Sequence, residues 1–246
     1  MKASAFEFRF RLWIILAIIF LGFTSPWIEA FHWGTRSTAW LWLGFQFGSL
    51  GVSSTTGFEI VTAMAIASAA IGAALRVWGT AYLGTGVVNN AEMKATGVLA
   101  DGPYRYVRNP LYLGSFFMFA AIAVLMPPTG ATVTLVLLTV FQLRLILGEE
   151  AFLAPKLGPQ YAVYLKAVPR LIPRLRSNVA SSGRQSNWGR ALLGEITPLG
   201  VLVSFAALSW QYNSQLLIQA VLVSFGLSLV VRALIIPKSA STETQA

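Results

Sequence analysis

The sequence predicts an all-α polytopic membrane bundle of about six transmembrane helices, with the N- and C-termini both cytoplasmic. Of its 246 residues, 56% are hydrophobic and only 11% are charged, and the mean hydropathy is +0.66. A soluble domain would carry about 25% charged residues. Several apolar stretches also approach the roughly 20 residues that a helix needs to cross a bilayer.

Six apolar stretches are long enough to be read as spanning helices. They contain few charges and are separated by polar or turn-forming segments; they are residues 12–28, 60–78, 111–126, 131–147, 191–210 and 216–236. The first resembles a signal peptide, but no small-residue cleavage site follows it, so we interpret it as a retained span. The aromatic segment 40–50 is too short to span and is predicted to be interfacial or re-entrant.

The charge distribution supports this topology. It places 17 of the 18 basic residues inside or near an inside helix end and leaves only Arg36 outside, as expected for an excess of Lys and Arg on the cytoplasmic side. The net charge of +9 therefore orients the chain in the membrane and does not predict a nucleic-acid partner. With no cysteine and the single His32, we expect no metal site.

The chain divides into a predicted core, residues 1–190, and an additional transmembrane helix pair with a short polar tail, residues 191–246. A segment rich in Ser, Gly and Asn at 177–187 is typical of a linker between them. Within the core, Ala65, Ala69 and Ala73 recur at a spacing that lets helices approach closely in lipid. The short turn at 127–130 predicts an antiparallel hairpin.

Two long polar segments, 79–110 and 149–190, fall on the cytoplasmic side in this topology. In the first, Pro110 is suited to the first turn of a helix, where free backbone N–H groups could hold an anion. The alternative is an interfacial belt in which Tyr and Arg side chains only anchor the start of the helix.

The second segment opens with two adjacent carboxylates, Glu149 and Glu150, directly after an apolar stretch. If the helix ended there, both would oppose its dipole, which makes the position costly without a ligand. Arg144 lies inside the same apolar stretch, and an ionisable residue at membrane depth indicates a functional site. The alternative is that Arg144 extends toward the interface and pairs with Glu149 or Glu150.

Three sequence blocks carry a resemblance to a known family. They are LRVWG at 75–79, GPYRYVRNPLYLG at 102–114, and EEAFL at 149–153 followed by VPRLIP at 168–173. In this order they resemble the isoprenylcysteine carboxyl methyltransferase family and the related phospholipid methyltransferases, over residues 70–175. The chain departs from the family where Asn109 replaces a usual histidine and where Pro155 is predicted to interrupt the helix after Glu150.

The resemblance implies an integral membrane methyltransferase that uses S-adenosylmethionine and acts on a lipophilic acceptor, either an isoprenylcysteine-like carboxylate or a membrane lipid. The charge-based topology places that site on the cytoplasmic side, and we expect the protein to lie in a bacterial inner membrane. The residues that the resemblance suggests for catalysis are Glu149, Glu150, Arg144 and Arg170. Those it suggests for cofactor binding are Thr96, Gly97, Val98, Leu99, Tyr104, Asn109, Pro110, Leu111, Tyr112 and Glu150.

Two other functions remain open from the sequence. A membrane reductase of the sterol-reductase type is similar in its helical core and would bind NADPH at the same face. A transporter without enzymatic activity is the second alternative, although neither internal repeats nor discontinuous helices are visible.

Overall fold

The computed structural model describes residues 2–25, 37–88 and 98–235. All regular elements within these ranges are helical. The α-helices are α1 (Ala5–Arg9), α2 (Arg11–Thr24), α3 (Ala39–Ser49), α4 (Ser54–Leu83), α5 (Thr85–Val88), α6 (Pro110–Ala123), α7 (Pro128–Ala167), α8 (Trp188–Gly194), α9 (Ile196–Leu208) and α10 (Ser214–Ile235). Short 3-10 turns occur at Gly102–Arg105 and Ser209–Gln211.

The described helices form a membrane bundle, but fewer of them reach spanning length than the sequence predicts. Three are long and apolar enough to cross a bilayer, namely α4, α7 and the Ser214–Val231 part of α10; α8 and α9 qualify as a fourth span only together, across a 71° bend. Helices α2 and α6 have 14 residues each, or about 21 Å at 1.5 Å per residue. The count of six spans therefore stays a prediction.

Small residues bring α4 and α6 into close contact. A Cβ atom added at Gly72 would lie 2.8 Å from the Gly114 carbonyl oxygen, and one added at Gly114 would lie 2.9 Å from the Gly72 carbonyl oxygen. Ala65, Ala69 and Ala73 on the same helix are all buried. The close approach predicted from their spacing is confirmed.

Helix α7 differs from its prediction in two ways. It continues well past residue 147, so that Glu149 and Glu150 lie inside the helix and do not oppose its dipole at an end. The predicted interruption at Pro155 is wrong, because the non-helical backbone is at Gly158, with φ 61° and ψ −148°. Glycine adopts this positive φ without steric penalty, and the chain changes direction there.

The C-terminal helices share the main hydrophobic core. Val201 and Phe205 of α9 and Leu217 of α10 are buried in the same cluster as Ala69 of α4 and Met118 of α6. The division of the chain at residue 190 stays a prediction, but the two parts are packed together.

Helix α3 is short and docks against the end of the bundle where α6 turns into α7. The backbone N–H groups of Ala39 and Trp40 donate to the carbonyl oxygens of Met126 and Val124, at 2.7 and 2.8 Å. The Trp40 indole donates to Thr62 on α4 at 3.1 Å. Helix α3 has 11 residues, too few to span a bilayer, as predicted. Whether it is interfacial or re-entrant stays a prediction.

The opposite end of the bundle carries most of the charge, and we call it the basic end. It contains α1 and the start of α2, the ends of α4 and α8, the start of α6, and the segments 98–109 and 144–187. The basic residues described there include Arg11, Arg76, Arg105, Arg108, Arg144, Arg170, Arg174, Arg176 and Arg184.

Candidate active site

The two adjacent glutamates of α7 point to different partners at the basic end. The Tyr112 hydroxyl on α6 donates to Glu149 Oε1 at 2.7 Å. This hydrogen bond joins α6 to α7. No other described residue donates to the Glu149 carboxylate. Its other oxygen is therefore available to a further donor.

Glu150 is bound by two arginines from separate segments. Arg108 Nη1 donates to Oε1 at 2.9 Å, and Arg170 donates from Nε to Oε1 at 3.1 Å and from Nη2 to Oε2 at 2.8 Å. The side chain of Glu150 is only 14% exposed, so these charge-assisted hydrogen bonds are protected from solvent on the glutamate side. Glu150 thus holds the segments before α6 and after α7 together.

Backbone and amide contacts reinforce this junction. The Arg108 N–H donates to the Pro169 carbonyl at 2.9 Å, and Asn109 Nδ2 donates to the Arg170 carbonyl at 3.1 Å. Asn109 occupies the N-cap of α6, followed by Pro110 as predicted, but its side chain makes no capping hydrogen bond. The Asn109 amide, at the position where the family usually has histidine, therefore holds residues 169–170 against the start of α6.

Tyr104 places an unpaired hydroxyl in this region. It is 7% exposed, and its buried hydroxyl oxygen has no hydrogen-bond partner among the residues that the structure describes. Burial raises the pKa of Tyr104 well above its ordinary value, and the charges of Glu149 and Glu195 act in the same direction. Because a buried hydroxyl without a partner is costly, this atom indicates a ligand that would accept its proton or donate to its oxygen.

A second buried network lies beside it and includes a residue from the C-terminal helices. Glu195, which is fully buried, accepts hydrogen bonds from Arg76 Nε at 2.7 Å and from the Thr80 hydroxyl at 2.6 Å. Arg76 Nη1 donates to the Ser115 hydroxyl on α6 at 2.6 Å. Three parts of the bundle therefore meet at Arg76.

Arg144 is placed differently from its predicted alternative. It pairs with Glu7 of α1, with its Nη2 2.9 Å from Oε2, and not with Glu149 or Glu150. Glu7 is close to Arg144 because the N-terminal segment packs against α7 there: the Ala3 N–H donates to the Arg144 carbonyl at 2.9 Å.

The remaining predicted cofactor residues are distributed around this cluster. Val98 packs against the buried group of Ala100, Tyr161 and Tyr164. Leu99 is half-buried, and Leu111 packs against Gly79 of α4. Thr96 and Gly97 lie outside the described residues, as does His32.

Several residues of the site were not singled out from the sequence. Arg76 and Glu195 interrupt long apolar stretches, which is the signal that drew attention to Arg144, so they could have been found in the same way. Asp101 is 3% exposed and accepts hydrogen bonds from the hydroxyls of Ser181 and Ser182 and from the Arg184 N–H. No local pattern predicts that contact, because it joins two loops distant in the chain.

An apolar groove opens next to Tyr112. It has a volume of about 210 Å³ and lies between α6 and α7, with Phe116, Gln142 and Ile146 among the residues that line it. A larger apolar cleft, of about 510 Å³, lies near the opposite end, between α3, α6 and α7. It contains none of the charged residues above, so the smaller groove is the one adjacent to the site.

Comparison with known proteins agrees with the sequence resemblance. Residues 60–160 match the phospholipid methyltransferase family, and this segment contains Arg76, Tyr104, Tyr112 and both glutamates of α7. No curated protein and no solved structure gives a significant match. The resemblance found in the sequence is confirmed: residues 60–160 of this integral membrane chain are similar to the phospholipid methyltransferase family.

Proposed function

We propose that the chain is a membrane methyltransferase that uses S-adenosylmethionine, binds it at the basic end on the cytoplasmic side, and acts on a lipophilic acceptor. The observation that carries this proposal is the buried Tyr104 hydroxyl without a partner, inside a segment that matches a methyltransferase family. The apolar groove beside Tyr112 supports a lipophilic acceptor, because mostly apolar side chains line it and because Tyr112 donates a hydrogen bond to Glu149.

The residues present are suited to this cofactor. When bound, S-adenosylmethionine supplies an electrophilic methyl group on a sulfonium ion. The Tyr104 hydroxyl and the free oxygen of Glu149 would provide a donor and an acceptor for its polar groups. The Glu150 junction with Arg108 and Arg170 keeps the two loops around these groups in one arrangement. Displacement at a methyl group depends mainly on such positioning and on exclusion of water.

The acceptor would occupy the groove with its hydrocarbon part and present its reacting group toward Glu149. An ionised carboxylate needs no base, whereas an amine must lose a proton, which Glu149 could take. Neither Glu149 nor the groove distinguishes these two cases, so the proposal includes both.

Binding of S-adenosylhomocysteine to the purified protein in detergent tests this function, with NADPH as the competing ligand. We expect S-adenosylhomocysteine to raise the unfolding temperature and to give a saturable calorimetric signal, and NADPH to do neither. Stabilisation by NADPH alone would favour the reductase alternative and contradict the proposal.

A matched pair of variants locates the binding site. Tyr104→Phe removes only the unpaired hydroxyl, so it should weaken S-adenosylhomocysteine binding by about tenfold, the effect of one hydrogen bond. The unfolding temperature of the ligand-free protein should be unchanged or higher, since a costly buried group is lost. Tyr106→Phe is the control, because Tyr106 lies in the same segment with its ring against Trp78. Equal affinities for both variants would remove Tyr104 from the site.

A further inference from the structure

The C-terminal helices insert a carboxylate into the part of the bundle that matches the phospholipid methyltransferase family. Glu195 lies at the junction of α8 and α9, where the chain bends by 71°, and it is fully buried. It stands outside the segment that matches the methyltransferase family, residues 60–160, yet the described groups that donate to its carboxylate, Arg76 and Thr80, lie inside that segment.

The packing around Glu195 is tight on all sides. A Cβ atom added at Gly194 would lie 2.6 Å from the Thr85 side chain. A Cβ atom added at Gly114 would lie 2.8 Å from the Arg76 side chain. The Asn187 N–H donates to the Ala81 carbonyl at 2.8 Å. The bend at Glu195 is therefore docked against the end of α4.

Arg76 is held at two of its three guanidinium nitrogens. Nε is bound by Glu195 and Nη1 by Ser115, while Nη2 makes no hydrogen bond with the described part of the chain. The Arg76 side chain as a whole is 16% exposed, so the guanidinium is fixed in place but not fully enclosed. A guanidinium fixed in this way is preorganised to bind an anionic or polar ligand group.

The free donor lies near the unpaired hydroxyl of the site. The 3-10 turn that carries Tyr104 packs against the end of α4, where Gly102 contacts the Tyr82 ring. Arg76 Nη1 also donates to Ser115, one turn along α6 from Tyr112, so the guanidinium lies at the same end of α6 as the candidate site. Arg76 and Tyr104 therefore offer two unsatisfied donors to the same region.

We propose that Glu195 is a positioning residue of the active site, which fixes the Arg76 guanidinium so that Nη2 binds S-adenosylmethionine beside the Tyr104 hydroxyl. The α8–α9 bend would then complete the cofactor site, and the C-terminal helices would be more than an added membrane anchor. This inference rests on the proposed function and extends it to a residue outside the matched segment.

The test compares the affinity for S-adenosylhomocysteine in a double-mutant cycle, measured by calorimetry on the full-length protein. Glu195→Gln should weaken binding by about tenfold to hundredfold, as expected for loss of a charge-assisted hydrogen bond that orients a ligand-binding group. Because Glu195 acts through Arg76, the same substitution in an Arg76→Gln background should cause no further loss. A residue with a purely structural role would lower affinity to a similar degree in both backgrounds.

Two further variants keep the test decisive. Thr80→Val preserves side-chain shape and removes one hydrogen bond from Glu195, so it should give a smaller loss of affinity even if Glu195→Gln fails to fold. Ser204→Ala is the control: Ser204 is buried in α9 and its hydroxyl donates to the Gly200 carbonyl of the same helix, so affinity should be unchanged.

The possible outcomes separate this inference from the proposed function. Wild-type affinity in both Glu195→Gln and Thr80→Val would overturn the role of Glu195. So would a variant with both Glu195→Gln and Arg76→Gln in which the two losses of affinity multiply. Either result would leave the proposed methyltransferase function untouched. A wild-type protein that does not bind S-adenosylhomocysteine would overturn the proposed function, and this inference with it.

Discussion

Both oxygens of the Glu7 carboxylate accept hydrogen bonds from the Arg144 guanidinium, from Nε at 3.0 Å and from Nη2 at 2.9 Å. The same carboxylate forms a capping box with Ser4 at the start of α1. One acidic side chain thus begins the first helix and fastens it to α7. Arg144 therefore has a structural role in attaching α1 to α7, in addition to any contact with a methyl acceptor.

The first prediction concerns the pH dependence of this pair. The hydrogen bonds from Arg144 and from the Ser4 backbone lower the pKa of Glu7 from 4.5 to about 2. Because the folded-state pKa lies below the unfolded value, the pair stabilises fully above about pH 4.5 and loses its effect as the pH falls toward about 2. Glu7→Gln should therefore lower the unfolding temperature at neutral pH, modestly because both side chains are partly exposed.

Thermal unfolding of wild type and Glu7→Gln across this pH range measures the effect. The difference in unfolding temperature should narrow at the acid end. A difference that is absent at neutral pH, or that does not change with pH, would show that the ionised pair adds no stability.

The second prediction concerns Glu150, which joins Arg108 and Arg170. Glu150→Gln keeps the shape but removes the charge that both guanidinium groups face, so we expect a loss of about 1–3 kcal/mol in the free energy of unfolding. Since the loops around the site would loosen, S-adenosylhomocysteine affinity should fall as well. Glu59→Gln is the control, because Glu59 is exposed at the other end of the bundle. Unchanged affinity in Glu150→Gln would remove that residue from the cofactor site.

The third prediction concerns Asp101, which holds the 181–184 segment. Burial raises the pKa of Asp101, but hydrogen bonds from Ser181, Ser182 and the backbone outweigh it and leave the pKa below 3.8. The contact should thus be intact above about pH 4 and weaken as the pH falls through the lowered pKa. Asp101→Asn should expose the segment at neutral pH and speed tryptic cleavage after Arg184. Cleavage at the wild-type rate would show that other contacts hold the segment.

The fourth prediction concerns topology, which the charge distribution alone supports. The chain has no native cysteine, so single introduced cysteines report without background. Leu50→Cys, at a residue that is 76% exposed, should be labelled only from outside. Ala180→Cys, in the exposed linker, should be labelled only from the cytoplasm. Labelling of both from the same side would contradict the predicted orientation.

The sequence did not show how the candidate site residues pair. The dipole argument drew attention to Glu149 and Glu150, and the family resemblance suggested Tyr104 and Tyr112; the structure brings all four to one end of the bundle, and their roles stay a prediction. The alternative that paired Arg144 with Glu149 or Glu150 was wrong. Arg144 pairs with Glu7, which is distant in sequence but adjacent in the fold. Adjacent glutamates on one helix point about 100° apart, which is why they contact different segments.

The sequence by itself determined the helical membrane character, the capacity of α4 for close helix packing and the family resemblance, because composition, small-residue spacing and short motifs are local properties. Only the tertiary structure decided which charges meet. Glu7 with Arg144, Glu195 with Arg76, and Asp101 with the 181–184 segment are separated by 137, 119 and up to 83 residues. Such pairs form because buried charge must find a partner, and the partner is set by which helix ends the fold brings together.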